Sequence, residues 1–368
     1  MNAVRTMLAR LGWSLVAPVL ALVIAGIITS LILAVTGNNV SGFWDTILTV
    51  PSERQLANIL NYAGILYLAG IACAIGFRMN LFNIGVEGQY RVGSFAAAVV
   101  AGEAWLPGRW NIAFAILVAM LAGAVWAGIA GILRVTRGVS EVISTIMLNA
   151  IAGLLVGFLI AKVGVSTGNS TNTKRIPGES TSEGTSLFGL FSGPSIYTLL
   201  FLSVLSGLVF WWVLNRTTFG FNLRATGTSE TAAVASGVSV KKMVVVSMLM
   251  SGAVAGLVGM PVLFGQAHNY GSSFEAGLGF AGIAVALLGR NHPIGVAFGA
   301  LIFAFLQERA AVLNILAGVS PDIVAVSQGI IVLAVVIAYE VVRRYRIKRE
   351  QAAVGRALAR TDTVEVAP

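Results

Sequence analysis

The sequence predicts an all-α, polytopic membrane protein of eight to ten transmembrane helices, about ten by the simplest count, and three observations lead there. Hydrophobic residues make up 57% of the 368 and charged ones 11%, whereas a water-facing domain carries about 25% charged residues. The apolar residues fall in runs, many close to the roughly 20 residues that a helix needs to cross a bilayer. Lysines and arginines gather beside the ends of those runs, as membrane topology requires. The formal net charge of +9 would point to nucleic acid in a soluble chain. This distribution offers no phosphate-binding face, so the lipid bilayer is the expected partner and nucleic acid is not.

Arg5 and Arg10 precede an uncharged stretch from Leu11 to Ser41 with an apolar body from Trp13 to Val35. A signal peptide would have a shorter apolar region and a clear small-residue cleavage site, so a retained first helix is expected. Thr36 to Ala57 reads as an external loop and Asn58 to Phe77 as the second span. There the chain meets Leu81 to Gln89, LFNIGVEGQ, a polar break holding Asn83, Glu87 and Gln89. A carboxylate at the centre of a membrane helix costs roughly 2.5 to 3.5 kcal/mol, so Glu87 should face a protein interior, a water-filled path or the interface. Gly85 and Gly88 loosen the backbone at the same place, where a discontinuous helix could expose amides and carbonyls to a polar solute.

Val92 to Gly102 is a short third span, and Asn111 to Leu133 a clear fourth, closed by Arg134 and Arg137. Val142 to Ala161 is the fifth, with Glu141 at its start and Asn149 inside it. The Ser/Thr/Gly/Asn-rich segment from Lys162 to Pro194 is expected to be irregular and external. Ile196 to Leu214 is the sixth span, and Asn215 to Met243 the largest polar segment expected inside. A short helix is written into that segment. Thr228 or Ser229 can cap it, Glu230 stands in its first turn, Ala232, Ala233 and Ala235 propagate it and Gly237 ends it. So short a helix is unstable alone in water and needs a surface to dock on.

Val244 to Phe264 is the seventh span, followed by a second polar break that includes Gln266, Asn269 and Glu275. Gly277 to Leu288 and Ile294 to Leu306 are short eighth and ninth spans, and Ile323 to Val342 is the tenth, before a basic run from Arg343 to Arg349. Ten crossings put both termini on the same, inner side. Arg54, Arg109, Lys162, Lys174, Arg175 and Arg309 then fall outside and the rest of the 24 Lys and Arg residues inside, in keeping with the positive-inside rule. The breaks follow spans two and seven, which predicts two inverted repeats, spans two to five and seven to ten, with solute bound between them.

Glu87, Glu141 and Glu275 suit proton or cation sites in an ion-coupled carrier. For each one singly the favoured reading is an interfacial or interhelical acid bonded to backbone or to a nearby arginine. Asn149, buried in a span, must find another helix or a solute. GLGFAG at Gly277 to Gly282 matches a dinucleotide fingerprint by letters, but no strand precedes it. Its small residues, like the G-x-x-x-G pairs Gly153/Gly157, Gly252/Gly256 and Gly295/Gly299, serve close helix packing. No G-x-x-x-x-G-K-[ST] occurs, so use of ATP requires a partner. A single cysteine, Cys73, and two histidines, His268 and His292, exclude an intrachain disulfide and argue against a metal site. No nucleophile and base pair stands out, so enzymatic chemistry is not expected.

Four blocks carry a family resemblance: FNIGVEGQ (Phe82 to Gln89), GVSEVISTIMLNAIA (Gly138 to Ala152), LRATGTSETAAVASGVSV (Leu223 to Val240) and GLGFAGIAVALLGRNHPIG (Gly277 to Gly295). Over Asn58 to Val342 the chain resembles permease subunits of bacterial ABC importers in the branched-chain amino acid, ribose and nucleoside superfamily. It is most similar to the nucleoside branch, which works with a basic-membrane-lipoprotein solute receptor. The resemblance implies a permease subunit of the bacterial cytoplasmic membrane for nucleosides or related small polar solutes, with ribose-like sugars or branched-chain amino acids as the alternative. It also implies a second permease subunit or copy, an extracytoplasmic solute-binding lipoprotein, and a tandem-domain ATPase that binds ATP and Mg, leaving no cofactor in this chain. The family's coupling loop corresponds to Leu223 to Val240, with Arg224, Gly227, Glu230, Ala232, Ala233 and Gly237 on matching positions. Ser229 and Ser236 stand where relatives often have Asn and an aromatic residue, a departure from the family pattern at the expected docking surface. The organisation that follows is an N-terminal span and external loop over 1–57, a permease domain over 58–342 with its coupling loop at 215–243, and a basic cytoplasmic tail over 343–368.

Overall fold

The computed structural model describes residues 20, 23–167, 170–182, 184–185, 195–271 and 274–362. It forms two compact units, one of residues 49–308 and one that joins the residues up to Leu48 to those from Arg309 on. The boundary falls within a helix.

In the larger unit the chain begins with α3 (Glu53–Arg78), after α1 (Val23–Val35) and α2 (Val40–Leu48) of the other unit. A capping box starts α3: Ser52 Oγ accepts from the Gln55 N–H at 3.4 Å, and Gln55 Oε1 accepts from the Ser52 N–H at 2.9 Å. Its interior is rich in small buried residues, among them Ala63, Ala69, Ala72, Cys73 and Ala74. That lets other elements close on it from several sides. α4 (Val86–Glu103), α5 (Gly108–Arg137) and α6 (Glu141–Val163) follow, then a hairpin of β1 (Val165–Thr167) and β2 (Ser170–Asn172). After a 3-10 turn at Thr198–Leu200 come α7 (Phe201–Arg216), α8 (Thr218–Thr228), α9 (Glu230–Ala235) and α10 (Val240–Gly256). The short α11 (Met260–Val262) leads into a π-turn at Leu263–Ala267, then α12 (Leu278–Leu288) and α13 (Pro293–Ala317).

α5 and α10 meet through glycine. A Cβ at Gly252 would strike the Gly123 carbonyl, and one at Gly123 would strike the backbone of Gly252 and Gly256. Backbones this close are the reason for small residues at four-residue spacing in a membrane helix. Of the three expected pairs, Gly252 and Gly256 serve in this way, and Gly295 lies against Gly289, while Gly157 borders open space.

In the other unit, α1 and α2 are joined through Gly37 (φ 72°), and Trp44 Nε1 donates to Ser30 Oγ at 2.9 Å. α14 (Pro321–Asp362) is a single helix of 42 residues.

Seven described helices are long and apolar enough to cross a bilayer, and Val23–Val35 and Leu278–Leu288 are shorter apolar helices. These two and α4 occupy the sequence positions of the other three expected crossings. Several boundaries differ from expectation. The segment read as an external loop holds α2. The Lys162 to Pro194 segment contains the β1–β2 hairpin and a 3-10 turn at Gly178–Ser180, while positions 168–169, 183 and 186–194 lie outside the described residues. The ninth span runs on to Ala317, which puts Gln307, Glu308 and Arg309 within the helix, with Arg309 buried. The basic run after Val342 continues α14 to Asp362. Hydropathy locates apolar runs, but a helix continues wherever its backbone ladder does, through the buried Arg309 in α13 and through exposed Arg344 and Lys348 in α14.

Candidate functional site

The first polar break is a dense intramolecular network. α3 ends at Arg78, and the chain turns through Asn80 (φ 59°) before α4 begins in the interior. The first N–H groups of a helix have no partner within it, and here amide side chains supply them. Asn83 Oδ1 accepts from the Gly85 N–H at 3.0 Å, and Asn149 Oδ1, from α6, accepts from the Gly88 N–H at 2.8 Å. Asn149 also donates to the Ile84 carbonyl at 2.9 Å. Asn83 and Gln89 exchange two side-chain hydrogen bonds, at 3.0 and 2.9 Å. Asn83 further donates to Ser251 Oγ at 2.8 Å, and Ser251 donates to the Ala72 carbonyl at 2.6 Å. The break is thus pinned to α3, α6 and α10.

Glu87 joins α4 to α12. Its Oε1 accepts from the Gly277 N–H at 2.9 Å and from Arg91 Nε at 2.8 Å, and its Oε2 accepts from the Gly279 N–H at 2.9 Å. The Glu87 side chain is 4% exposed. Gly277 has φ 94°, and a Cβ at Gly279 would collide with the Glu87 backbone. At about 1.5 Å per residue, α12 is about 16 Å long, roughly half of a bilayer's hydrocarbon core. Past its C-terminal end, the Asn291 carbonyl accepts from Arg78 Nε at 2.9 Å. Two helix N-termini, each with a partial positive charge, face each other, and a carboxylate between them is electrostatically favourable.

The second break is open. A cavity of about 350 Å³ is bounded by Asn58, Asn61 and Tyr62 of α3, Tyr197, Gln266 of the π-turn, Phe274, Glu275, and Gln307 and Glu308 of α13. Tyr62 donates to Glu275 Oε1 at 2.8 Å, and Tyr90 donates to the Glu275 carbonyl at 3.0 Å. The Tyr197 hydroxyl donates to Gln266 Oε1 at 2.5 Å. Asn61 fixes the backbone here, accepting from the Tyr197 N–H at 2.9 Å and donating to the Ser195 carbonyl at 3.1 Å. Asn58 donates to Glu308 at 3.2 Å. A π-turn interrupts regular helix geometry and re-aims side chains, here that of Gln266. Phe274 of the cavity wall packs on Tyr270, with ring centroids 4.4 Å apart and planes tilted by 34°.

The opposite end of this unit carries α8 and α9. Gly227 rests against Arg78 and Met79, where a Cβ would strike the Arg78 carbonyl. Ser229 caps α9 by accepting from the Ala232 N–H at 3.3 Å, and Gly237 (φ 82°) follows its end. Ala233 is buried, whereas Glu230, Ala232 and Val234 are exposed, so α9 rests on one residue and presents the others. Arg134 Nη2 lies 3.6 Å from Glu230 Oε1. Arg134 also pairs with Glu141, whose other oxygen accepts from the Phe82 N–H at 3.3 Å. One arginine thus stands between α9 and the first break. Arg224 does a different job: it donates to the Leu214 carbonyl near the end of α7.

Residues 55–338 match the family described as branched-chain amino acid transport system / permease component. The chain belongs to that family. A guanosine ABC transporter permease of Bacillus subtilis is 34% identical over 91% of this chain and 96% of its own length. A nucleoside ABC transporter permease of Lactococcus lactis is 31% identical over 88% and 90%, and a glucose ABC transporter permease of Haloferax volcanii 31% over 81% and 80%. The protein is a permease subunit of an ABC importer, a multi-pass membrane protein that works with an ATPase partner. Such permeases are transporters rather than enzymes.

The permease brings its predicted residues together in three places. Asn83, Glu87, Gln89 and Asn149 share the first break with Glu141, which ties it to Arg134. Gln266 and Glu275 border the cavity, while Asn269 is partly exposed and outside its lining. Arg224, Gly227, Glu230, Ala232, Ala233 and Gly237 all fall in or beside α8 and α9. Sequence reading had not singled out α8 or the cavity's other walls. A signal for one wall was present: Asn58, Asn61 and Tyr62 recur at i, i+3 and i+4 in an apolar span, which puts them on one helix face.

Proposed function

We propose that the permease passes nucleosides across a bacterial cytoplasmic membrane. An extracytoplasmic lipoprotein delivers the solute, a second permease subunit completes the assembly, and a tandem-domain ATPase binds ATP and Mg. Both termini are cytoplasmic in this reading, so α9 faces the ATPase and the cavity opens outward. The observation that carries it is α9: a capped, exposed helix joined through Arg134 and Glu141 to the break from which α4 starts. A force on α9 has a bonded route to the half-helices. ATP binding would then shift the population between outward-open and inward-open states through a contact made elsewhere.

Nucleosides are favoured as solute by the names of the guanosine and nucleoside relatives, which align over nearly the whole chain. The glucose relative supports a sugar as the second reading. The test is ATP-dependent uptake of labelled guanosine by vesicles holding the whole assembly, with excess unlabelled uridine, glucose, ribose or leucine. Competition by uridine alone is expected, and competition by glucose or ribose alone selects the sugar reading. Uptake by this chain without an ATPase, abolished by an uncoupler, overturns the ATP-driven reading in favour of an ion-coupled carrier.

A further inference from the structure

We propose that the cavity beside Glu275 is a solute site held within a single permease subunit, one that accepts an uncharged nucleoside and rejects its phosphorylated form. The inference rests on the nucleoside reading above and adds a place and a selectivity to it.

The volume of about 350 Å³ lies in the lower part of the roughly 300 to 1,000 Å³ range of small-molecule sites. Its walls combine what a nucleoside requires. Tyr62, Tyr197 and Phe274 offer aromatic surface to a flat base, and polar groups remain for its edge and for the sugar. Tyr62 engages one oxygen of Glu275, and the second oxygen has no hydrogen-bond partner among the described residues. A carboxylate oxygen accepts from a ribose hydroxyl at a strength that a neutral acceptor does not match. Gln266 accepts from Tyr197 through its carbonyl, which leaves its NH₂ to donate to a base carbonyl. The Gln307 amide stands on the α13 wall with both functions to offer.

Charge supplies the selectivity. The lining residues include two carboxylates, Glu275 and Glu308, and no lysine or arginine among those described. A phosphate brought between two acids in a partly dehydrated cavity meets repulsion with no cation to offset it. By contrast, the larger groove bounded by Leu60, Val204, Trp211, Ile294, Phe298 and Leu301 is almost wholly apolar and has little with which to orient a polar solute.

The test places a reporter on the wall. In the complete transporter, with its ATPase and lipoprotein, Gln307→Cys is labelled from outside with a membrane-impermeant maleimide. Native Cys73 is fully buried and contributes no background. Uridine at roughly ten times its dissociation constant leaves about one site in ten open, so labelling should slow about tenfold. Uridine 5′-monophosphate at the same concentration should leave the rate unchanged, and adding Glu275→Gln should weaken protection by uridine. Asn58→Cys, on the α3 wall, serves as the reporter if Gln307→Cys does not assemble. Equal protection by uridine and its monophosphate overturns the selectivity. Measured uridine uptake with an unprotected cysteine overturns the site alone. No uridine uptake by the unmodified transporter overturns the nucleoside reading and this inference with it.

Discussion

The two polar breaks look alike as sequence and differ as structure. Around Glu87 the polar side chains find partners within the chain, and the carboxylate alone accepts three hydrogen bonds. Around Glu275 the polar groups border a void, and the acid is held by one tyrosine. The difference teaches that an acid in a polar break between apolar helices can be retained for two reasons. One is to satisfy helix ends that meet in the interior, and the other is to leave bonding capacity for a solute. Neither reason is visible in the residue type.

That contrast can be tested by stability and transport measured side by side, and the largest effect belongs to Glu87. Glu87→Ala strips the α12 N-terminus of its acceptor and leaves Arg91 without its carboxylate. The Arg91 side chain is 31% exposed and can turn to water. The main loss is the Gly277 and Gly279 N–H groups left without an acceptor, at about 1 to 3 kcal/mol each, and the purified complex should unfold at a markedly lower temperature. Unchanged thermal unfolding with abolished uptake would instead place Glu87 on the solute's route. Asn149→Ala comes next: it frees the Gly88 N–H and the Ile84 carbonyl, at about 1 to 3 kcal/mol for an unsatisfied buried group, measurable as a lower midpoint in denaturant.

Glu230→Lys should change stability by less than about 1 kcal/mol, because the exposed pair with Arg134 contributes little. It places a cation beside Arg134 and alters the exposed face of α9. The expected outcome is ATP hydrolysis that continues while uptake falls, seen by measuring both in one vesicle preparation; normal uptake would count against α9 as the docking helix. The smallest stability effect, within about 0.5 kcal/mol, is expected for Glu275→Gln. Its uptake should nevertheless fall by about tenfold or more, the worth of a hydrogen bond to a charged group. If Glu275→Gln lowered the unfolding temperature as far as Glu87→Ala does, the two breaks would be one kind of feature.

Much of this was legible beforehand where the physics is local. The cap, acid and terminating glycine of α9 stand within nine residues, and the structure has Ser229, Glu230 and Gly237 in those roles. The small residues at Gly252 and Gly256 announced a close helix contact, although the same spacing at Gly153 and Gly157 led to open space at Gly157. Of the readings open to Glu141, the acid bonded to backbone and to a nearby arginine is the one seen: it pairs with Arg134 and accepts from the Phe82 N–H. Less legible were features that depend on partners far along the chain. Tyr62 and Glu275 are joined across 213 positions, and Asn58 and Glu308 across 250, so nothing near either residue foretells the other. Gln307 and Glu308 read as the end of a span, yet α13 continues past them to Ala317.

By itself, the sequence determined that this chain lives in a bilayer, roughly where seven of its spans lie, and where a short capped helix stands. These follow from composition, periodicity and capping, each of which acts within a few turns of helix. Only the tertiary structure decided which polar break is closed and which is open. Hydrogen-bond capacity is a property of a side chain, but whether it is spent depends on which backbone ends and side chains the fold brings within about 3 Å of it.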